Sequence, residues 1–174
     1  GPDRLAAEAL QLLREHKILS VRRRAAMLLG ERGFANAEEI LAGEIEKEHD
    51  PGARATLVSA LGSIKSDSGV ETLMDFARSR QEPDEVRAAA CTALGRTGKP
   101  EARDVLAEIA TYSPKGITRL IRSVSSAVRV AAVKALVALL SEAPKDKDLA
   151  AKAIADAVLA ELRALKLPEG REWM

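Results

Sequence analysis

The chain has 174 residues, enough for a buried core, and its hydrophobic content is 47% although aromatic residues make up only 2%. The apolar residues are therefore mainly Ala, Leu, Val and Ile, which suit closely packed helices better than a β-sandwich or barrel. Lys and Arg number 27 against 26 Asp and Glu, a formal net charge of +1. The chain thus lacks the basic excess typical of proteins whose main task is to hold nucleic acid.

Two further features narrow the class of protein. The single cysteine, Cys91, excludes an internal disulfide and a multi-cysteine metal site, and it favours a reducing, cytoplasmic setting. No stretch of about 18 apolar residues occurs, so the sequence predicts no membrane span. Gly1-Pro2 resembles a scar of protease cleavage after expression. We therefore set residues 1–3 apart from the fold and expect the chain to be a domain of a larger protein.

One pattern of ten residues occurs four times. It reads VRRRAAMLLG at Val21–Gly30, ARATLVSALG at Ala53–Gly62, VRAAACTALG at Val86–Gly95 and VRVAAVKALV at Val128–Val137. Successive copies start 32, 33 and 42 residues apart. Self-similarity at a period of this size is typical of stacked-repeat proteins. The sequence therefore predicts an all-α solenoid of about four helix pairs, and we call the helices that carry the pattern V-R helices.

In chain order, a helix with an apolar stripe is expected before each V-R helix. The first is expected at residues 4–16, and its stripe comprises Leu5, Ala9, Leu12 and Leu13. Ser20 is the predicted N-cap of the first V-R helix. We expect that helix to end near Leu29, because the glycines at 30 and 33 can adopt the left-handed cap conformation.

Turn residues bound the next two helix pairs. Asn36 is predicted to cap one helix and Ser66 or Asp67 another, while Pro51 is predicted at the first position of the second V-R helix. That helix should end near Ile64, and a later one should run from 99–101 to about Tyr112. The residues expected to face the core in the helices between V-R helices are Ile40, Leu41, Ile45, Val70, Leu73, Met74, Ala77, Val105, Leu106 and Ile109.

The period lengthens before the fourth copy, where about nine or ten residues are extra. They lie within residues 113–126, and the helical spacing of Ile117, Leu120, Ile121 and Val124 predicts a short extra helix there. It either extends the first helix of the fourth repeat or packs over the solenoid edge or groove. A last helix is expected at 148–165, as a cap over the final repeat or as a dimer or interdomain surface. Residues 166–174 are expected to form a tail.

Paired helices of this length, an Asp/Pro turn and the pattern V-R-x-x-A-x-x-A-L-G resemble the armadillo-like HEAT family. The resemblance is strongest to the short HEAT-like repeats of the phycobilisome-lyase type. It covers residues 4–165, with repeats at about 4–33, 36–64, 67–97 and 99–141 and the closing helix at 148–165. It implies a right-handed solenoid of antiparallel helix pairs, with the V-R helices along the concave side.

The resemblance also implies a role for one arginine in each repeat. The family's arginine maps onto Arg22, Arg54, Arg87 and Arg129, and its turn aspartate onto Asp50 and Asp84. In such repeats this pair ties the turn of a repeat to its helix, so we interpret the four arginines as structural. Such an arginine packs its stem along the helix while its head bonds turn carbonyls or a carboxylate. The first and fourth copies lack the aspartate, so we expect no Arg–Asp pair at those junctions.

Other residues of the V-R helices are expected to face a groove, the kind of surface with which solenoids bind partners. The candidate partner-binding residues and their groove neighbours are Arg23, Arg24, Met27 and Glu31 in the first copy, Ala55, Thr56, Ser59 and Ser63 in the second, Ala88, Ala89, Thr92 and Arg96 in the third, and Val130, Ala131, Lys134 and Ala138 in the fourth. The middle of this groove is small and weakly apolar, and its ends are basic.

Two interpretations of the groove remain open at this point. In the first, the small residues only allow the helices to pack with tight curvature. In the second, they receive a helix or extended peptide of another protein, whose acidic residues the basic ends of the groove bind. The second interpretation predicts a non-enzymatic protein-interaction scaffold or adaptor.

Two other functions are weighed against this one. The basic residues near the start of the chain would suit phosphate groups of nucleic acid, and some HEAT-like proteins are DNA glycosylases. Those enzymes use aromatic groups beside the lesion, however, and no Trp or Tyr falls in the V-R helices. A bilin lyase subunit is the other alternative, and it rests on the resemblance alone.

The sequence contains no recognisable catalytic constellation. His16 and His49 are its two histidines, and neither belongs to a His-Glu pair at the spacing that HEAT-type deoxyhypusine hydroxylases would need. No Gly-rich phosphate loop, HExxH motif or nucleophile elbow occurs. Cys91 is predicted to face the core as an inert thiol. We therefore expect no enzymatic activity, no cofactor and no metal.

Overall fold

A computed structural model of the chain describes residues 2–34, 36–112 and 124–141. Within these ranges the chain forms helices and no strands. The helices are α1 (Pro2–Glu15), α2 (Leu19–Arg32), α3 (Ala37–Lys47), α4 (Pro51–Ile64), α5 (Asp67–Arg78), α6 (Asp84–Thr97), α7 (Ala102–Thr111) and α8 (Ser126–Ser141). None of these helices is long and apolar enough to cross a membrane.

The helices stack in two layers. The V-R helices α2, α4, α6 and α8 each pack extensively on the next and form one layer, which we call the V-R layer. Helices α1, α3, α5 and α7 form the other layer, in which neighbours contact each other much less and each helix packs mainly on its own V-R helix. This arrangement is an all-α solenoid, as the repeated pattern predicts.

Glycine at the last position of the pattern sets the close spacing within the V-R layer. A Cβ atom on Gly62 would lie 2.6 Å from the Cβ of Ala93, and one on Gly95 would lie 2.7 Å from the Cα of Ala135. Carbon atoms prefer separations of about 3.5–4.0 Å, so neither position has room for a side chain. Because the other layer is more loosely packed, the V-R layer is the tightly spaced side of the stack.

Gly30 lies as close to the neighbouring V-R helix as Gly62 and Gly95 do. The expected end of α2 near Leu29 was wrong. The helix continues past Leu29 to Arg32, and Gly33 forms its left-handed C-cap with φ 58°. A Cβ on Gly30 would overlap the carbonyl oxygen of Ala60 on α4. Gly30 therefore permits a helix–helix contact, whereas only Gly33 ends the helix.

The core follows the pattern expected from helical spacing. The third copy buries Val86, Ala90, Cys91 and Leu94 completely, together with most of Arg87, which is 7% exposed. All ten residues expected to face the core are buried or packed against buried neighbours, with Ile40 and Met74 only partly buried. The apolar faces of the two layers thus form one continuous core.

The apolar stripe of α1 is only partly buried. Ala9 is buried, but Leu5 and Leu12 are 55% and 43% exposed. Helix α1 packs mainly on α2, and that contact covers only one side of the stripe. Only part of the stripe therefore packs on the core, and Leu5 and Leu12 lie at the surface.

Helix caps agree with the expectations in some places and not in others. Ser66 caps α5, since its hydroxyl accepts a hydrogen bond from the amide of Gly69, and Pro51 stands first in α4. Ser20 was the wrong cap for α2, which begins at Leu19 after Ile18. Asn36 precedes α3 in the left-handed conformation, with φ 63°, and its side chain makes no cap hydrogen bond.

Three expectations lie outside the described residues. These are the body of the insertion before the fourth copy, the closing helix at 148–165 and the tail at 166–174. The described part resumes at Val124, which packs against the core just before α8.

Candidate binding groove

The groove residues expected from the sequence all lie at the surface of the V-R layer. In the first and third copies Arg23, Arg24, Thr92 and Arg96 are exposed, and Val130 and Lys134 are exposed in the fourth. The remaining candidates are partly buried, and they are Met27, Thr56, Ser59, Ala88, Ala89 and Ala131. No candidate is fully buried, so each of them keeps some exposed surface.

The apolar members of this set face the core more than expected. Met27, Ala55, Ala88, Ala89 and Ala131 are partly buried and pack against the core cluster. Their methyl and thioether groups thus belong partly to the core and partly to the surface of the V-R helices, and we call them the groove floor.

Three of the four hydroxyl groups of the groove donate to their own helices. Thr56 donates to the carbonyl of Gly52 at 3.0 Å, Thr92 to that of Ala88 at 2.9 Å, and Ser63 to that of Ser59 at 3.5 Å. Side-chain hydroxyls on helices commonly satisfy themselves in this way. The middle of the groove therefore offers small, nearly apolar surface, on which the hydroxyl of Ser59 alone makes no hydrogen bond among the described residues.

The basic residues beside this middle section differ in whether they are ion-paired, hydrogen-bonded or without a partner. Arg24 pairs with Glu31 at 3.3 Å on an exposed surface. Arg96 reaches from α6 to α4, where it donates to the carbonyl of Ser59 at 3.3 Å. Among the described residues, Arg23 and Lys134 have no ion-pair or hydrogen-bond partner. The groove therefore offers at least two cations that a partner could neutralise.

Arg54 shows how a repeat arginine acts in this stack. Its guanidinium donates to the carbonyls of Ile45 and Glu48 in the preceding turn, and it forms a two-pronged pair with Glu82 at 2.7 and 2.9 Å. It also lies 5.5 Å from the centre of the Phe76 ring. The hydrogen bond and charge of Glu82 raise the pKa of Arg54 despite its partial burial. Arg54 thus joins the second repeat to the turn of the third.

The expected partner of Arg54 was Asp50, and this expectation was wrong. Asp50 instead caps α4, where its carboxylate accepts a hydrogen bond from the amide of Ala53 at 2.8 Å. An N-cap aspartate has its side chain directed at the first helical amides, so it cannot also reach the guanidinium. The carboxylate that binds Arg54 comes from Glu82, which lies 28 residues further along the chain.

The other three repeat arginines differ from one another. Arg87 donates to the carbonyl of Ala77 at 3.3 Å and lies 3.9 Å from its turn aspartate, Asp84. Arg129 donates to the carbonyls of Tyr112 and Val124 at 3.4 and 3.5 Å. Arg22 has no such partner within the described part of the chain. An Arg–Asp pair is therefore present only in the third repeat of those described.

A cleft between the first two helix pairs was missed by sequence reasoning. It has a volume of about 180 Å³ and is formed by side chains of α1, α2, α3 and α4. Glu44 lines it and binds Arg14 at 2.6 Å and Lys47 at 3.4 Å. Burial is the largest single effect and opposes ionisation of Glu44, but the hydrogen bonds and charges of Arg14 and Lys47 together outweigh it and lower the pKa of Glu44 below its usual value. Residues this far apart in sequence give no local signal of such a cleft.

Reactive and metal-binding groups are sparse in the described ranges. Cys91 is buried, and burial raises the pKa of its thiol to about 12, as expected for an inert core cysteine. No cluster of three or more His, Cys, Asp or Glu side chains suited to a metal ion occurs there. His16 accepts a hydrogen bond from the amide of Ile18 through Nδ1 at 3.1 Å, so it helps to shape the turn before α2.

Comparison with known families agrees with this geometry. A family model of HEAT repeats matches the chain twice, at residues 6–84 and 44–124. The model describes HEAT repeats in general, so the phycobilisome-lyase type stays a prediction. Comparison with curated proteins finds no match. Because the two matches span more than half of the 174 residues, the chain belongs to the HEAT repeat family.

Proposed function

We propose that this chain is a non-enzymatic protein-interaction module that binds a helix or extended peptide of another protein along its V-R layer. The observation that carries the proposal is the composition of that surface. Its middle is built from alanines and from four hydroxyl groups, three of which already donate to their own helices. A partner backbone could approach such a surface closely, with the hydroxyl of Ser59 as the one donor that it would have to satisfy.

The charges around this surface indicate the partner's chemistry. Arg23 and Lys134 are exposed and have no partner among the described residues, and Arg96 is held at the surface by a single bond to a carbonyl. Opposite charges across an interface raise association rates and fix the register of the bound chain. We therefore propose a partner segment with small or apolar residues at its centre and acidic residues towards its ends.

A protein partner is favoured over nucleic acid by the distribution of charge. The net charge is only +1, and two members of the basic group near the start of the chain are ion-paired, Arg14 with Glu44 and Arg24 with Glu31. A gel-shift experiment at increasing salt tests this choice, because displacement of counterions makes nucleic-acid affinity fall steeply with salt. We expect no shifted band at physiological ionic strength.

The double variant Ala88→Arg/Thr92→Arg tests the groove itself. It places two large cations on the floor of α6, and we expect it to lose the partners that the wild-type chain captures in a pull-down. The matched control is Ala7→Arg/Gln11→Arg, which adds the same side chains at the same spacing, with the same change of charge, to the exposed surface of α1 in the other layer. Circular dichroism checks that all three proteins keep their helicity. Equal capture by the groove variant and the wild type would remove the groove from consideration.

A further inference from the structure

The cleft between the first two helix pairs combines apolar walls with two unpaired cations. Leu13, Leu19 and Leu57 supply apolar walls, and Arg22 and Arg23 supply the cations. Leu19 is 39% exposed, and the adjacent Ile18 is 58% exposed. The cleft volume of about 180 Å³ equals several times the ≈30 Å³ of a water molecule. It therefore has room for one side chain of a ligand.

The acidic groups of this cleft already have partners. Glu44 binds Arg14 and Lys47, as described above. Glu48 accepts a hydrogen bond from the amide of Asp50 at 2.8 Å. Arg22 and Arg23 have no such partner within residues 2–34, 36–112 and 124–141. Within these ranges neither Arg22 nor Arg23 thus has an ion-pair partner, and the four cations of the lining outnumber its two carboxylates, Glu44 and Glu48.

The second repeat shows which group binds the equivalent arginine. Arg54 is the equivalent of Arg22, and Glu82 binds it through both carboxylate oxygens. Glu82 stands four residues before Val86, the first residue of the third copy. The residue four positions before the second copy is His49, which is exposed and has no carboxylate. The first junction therefore has the arginine of this bond, but the acids beside His49, Glu48 and Asp50, accept hydrogen bonds from backbone amides and do not bind Arg22.

We propose that this cleft binds a carboxylate, supplied by a glutamate or aspartate side chain of a partner peptide that has an apolar residue beside it. The carboxylate takes the place that Glu82 occupies at the next junction and binds Arg22, with Arg23 as a second donor. The apolar neighbour lies against Leu13 and Leu19. The inference rests on the proposed function, because it names the chemistry of the partner at one end of the groove.

Two blocked dipeptides test the carboxylate directly. Acetyl-Leu-Glu-amide has one carboxylate, and acetyl-Leu-Gln-amide has the same shape without the charge. In an NMR titration of the full chain we expect the Glu dipeptide to shift the Nε–H signals of Arg22 and Arg23. We expect the Gln dipeptide to bind at least about fivefold more weakly, because charge-assisted bonds are roughly twice as strong as neutral ones.

Variants of the chain locate the site. Arg22→Gln should remove the preference for the Glu dipeptide. Arg32→Gln, on the same helix but outside the cleft, should keep it. His49→Glu should place a carboxylate of the chain itself beside Arg22. We then expect the Arg22 Nε–H signal to shift without ligand, the Glu dipeptide to bind more weakly and the melting temperature to rise.

Three results would overturn the inference: equal binding of the two dipeptides, unchanged binding by Arg22→Gln, or unchanged binding by His49→Glu. The outcomes also separate this site from the groove. If the dipeptides fail this test while Ala88→Arg/Thr92→Arg abolishes partner capture, the carboxylate site is wrong and the groove function stands. If the dipeptides bind at Arg22 while the double variant captures partners normally, the cleft stands and the groove floor does not.

Discussion

Replacing Gly62 by alanine tests the close contact between α4 and α6. The new Cβ would lie 2.6 Å from the Cβ and 3.3 Å from the Cα of Ala93, and 3.4 Å from Leu73 Cδ1. The first distance is about 1 Å shorter than carbon atoms tolerate. Because Ala93 has no side-chain torsion that could relieve the overlap, the two helices must separate. Forcing extra atoms into a packed core typically costs about 1–3 kcal/mol.

Helix propensity acts in the opposite direction and must be subtracted. Alanine is favoured over glycine inside a helix by up to about 1 kcal/mol. We therefore expect Gly62→Ala to lower the free energy of unfolding by up to about 2 kcal/mol. With a urea dependence of about 2 kcal/mol per molar, the middle of the usual range, the midpoint of urea unfolding should fall by up to about 1 M, which far-UV circular dichroism can follow.

Gly43→Ala is the matched control, because it lies inside α3 and its Cβ would meet nothing within 4 Å. At this position only the higher helix propensity of alanine acts, so Gly43→Ala should raise the free energy of unfolding by about 0.5–1 kcal/mol. If the two variants were equally stable, or Gly62→Ala were the more stable, the V-R helices would not pack as closely as described.

Three further variants or reagents test individual groups. Arg54→Gln leaves Glu82 half-buried without its two-pronged partner, and it should lower the free energy of unfolding by about 1.5–3 kcal/mol in urea denaturation. Burial opposes ionisation of Glu44, but Arg14 and Lys47 together lower its pKa. Its contribution to stability is therefore present above its unfolded pKa of about 4.3 and is lost as the pH falls through its lower folded pKa. The wild type should thus lose more stability than Glu44→Gln over that acid range. The thiol of Cys91, buried with a pKa raised to about 12, should react with a thiol reagent at neutral pH only when the protein unfolds.

Each of these tests has a result that would contradict it. Arg4→Gln removes an exposed pair with Glu8, which should cost at most about 1 kcal/mol; an equal loss in Arg54→Gln would show that Glu82 does not need its partner. Parallel acid unfolding of the wild type and Glu44→Gln would remove the role of that carboxylate. Fast labelling of Cys91 in the folded chain would show that the core between α5 and α6 is open.

The sequence predicted the core well because the core repeats. Val86, Ala90 and Leu94 lie at helical spacing within one copy, and the same positions recur in the others. Burial at these positions depends on the period of the helix and on the presence of a neighbouring repeat. Both are visible in one chain, so the layer of V-R helices could be expected before any coordinates.

Contacts between repeats were harder to predict, because they depend on distant residues. Arg54 is bound by Glu82 rather than by the nearer Asp50, and no local pattern distinguishes the two acids. Leu12 lies at the right spacing for burial, yet it is 43% exposed, because α1 packs mainly on a single helix among those described. The cleft at Arg22 could not be predicted for the same reason, since its lining comes from four helices.

Photo-crosslinking tests the central claim, that the V-R layer is the binding surface, most directly. A photoreactive benzophenone side chain would replace Thr92, which is exposed on α6, or Glu71, which is exposed on α5 in the other layer. The account predicts that the captured partner crosslinks to position 92 and not to position 71, and that the product disappears when unlabelled wild-type chain competes. Crosslinking from position 71 alone would contradict it and would place the binding surface on the other layer.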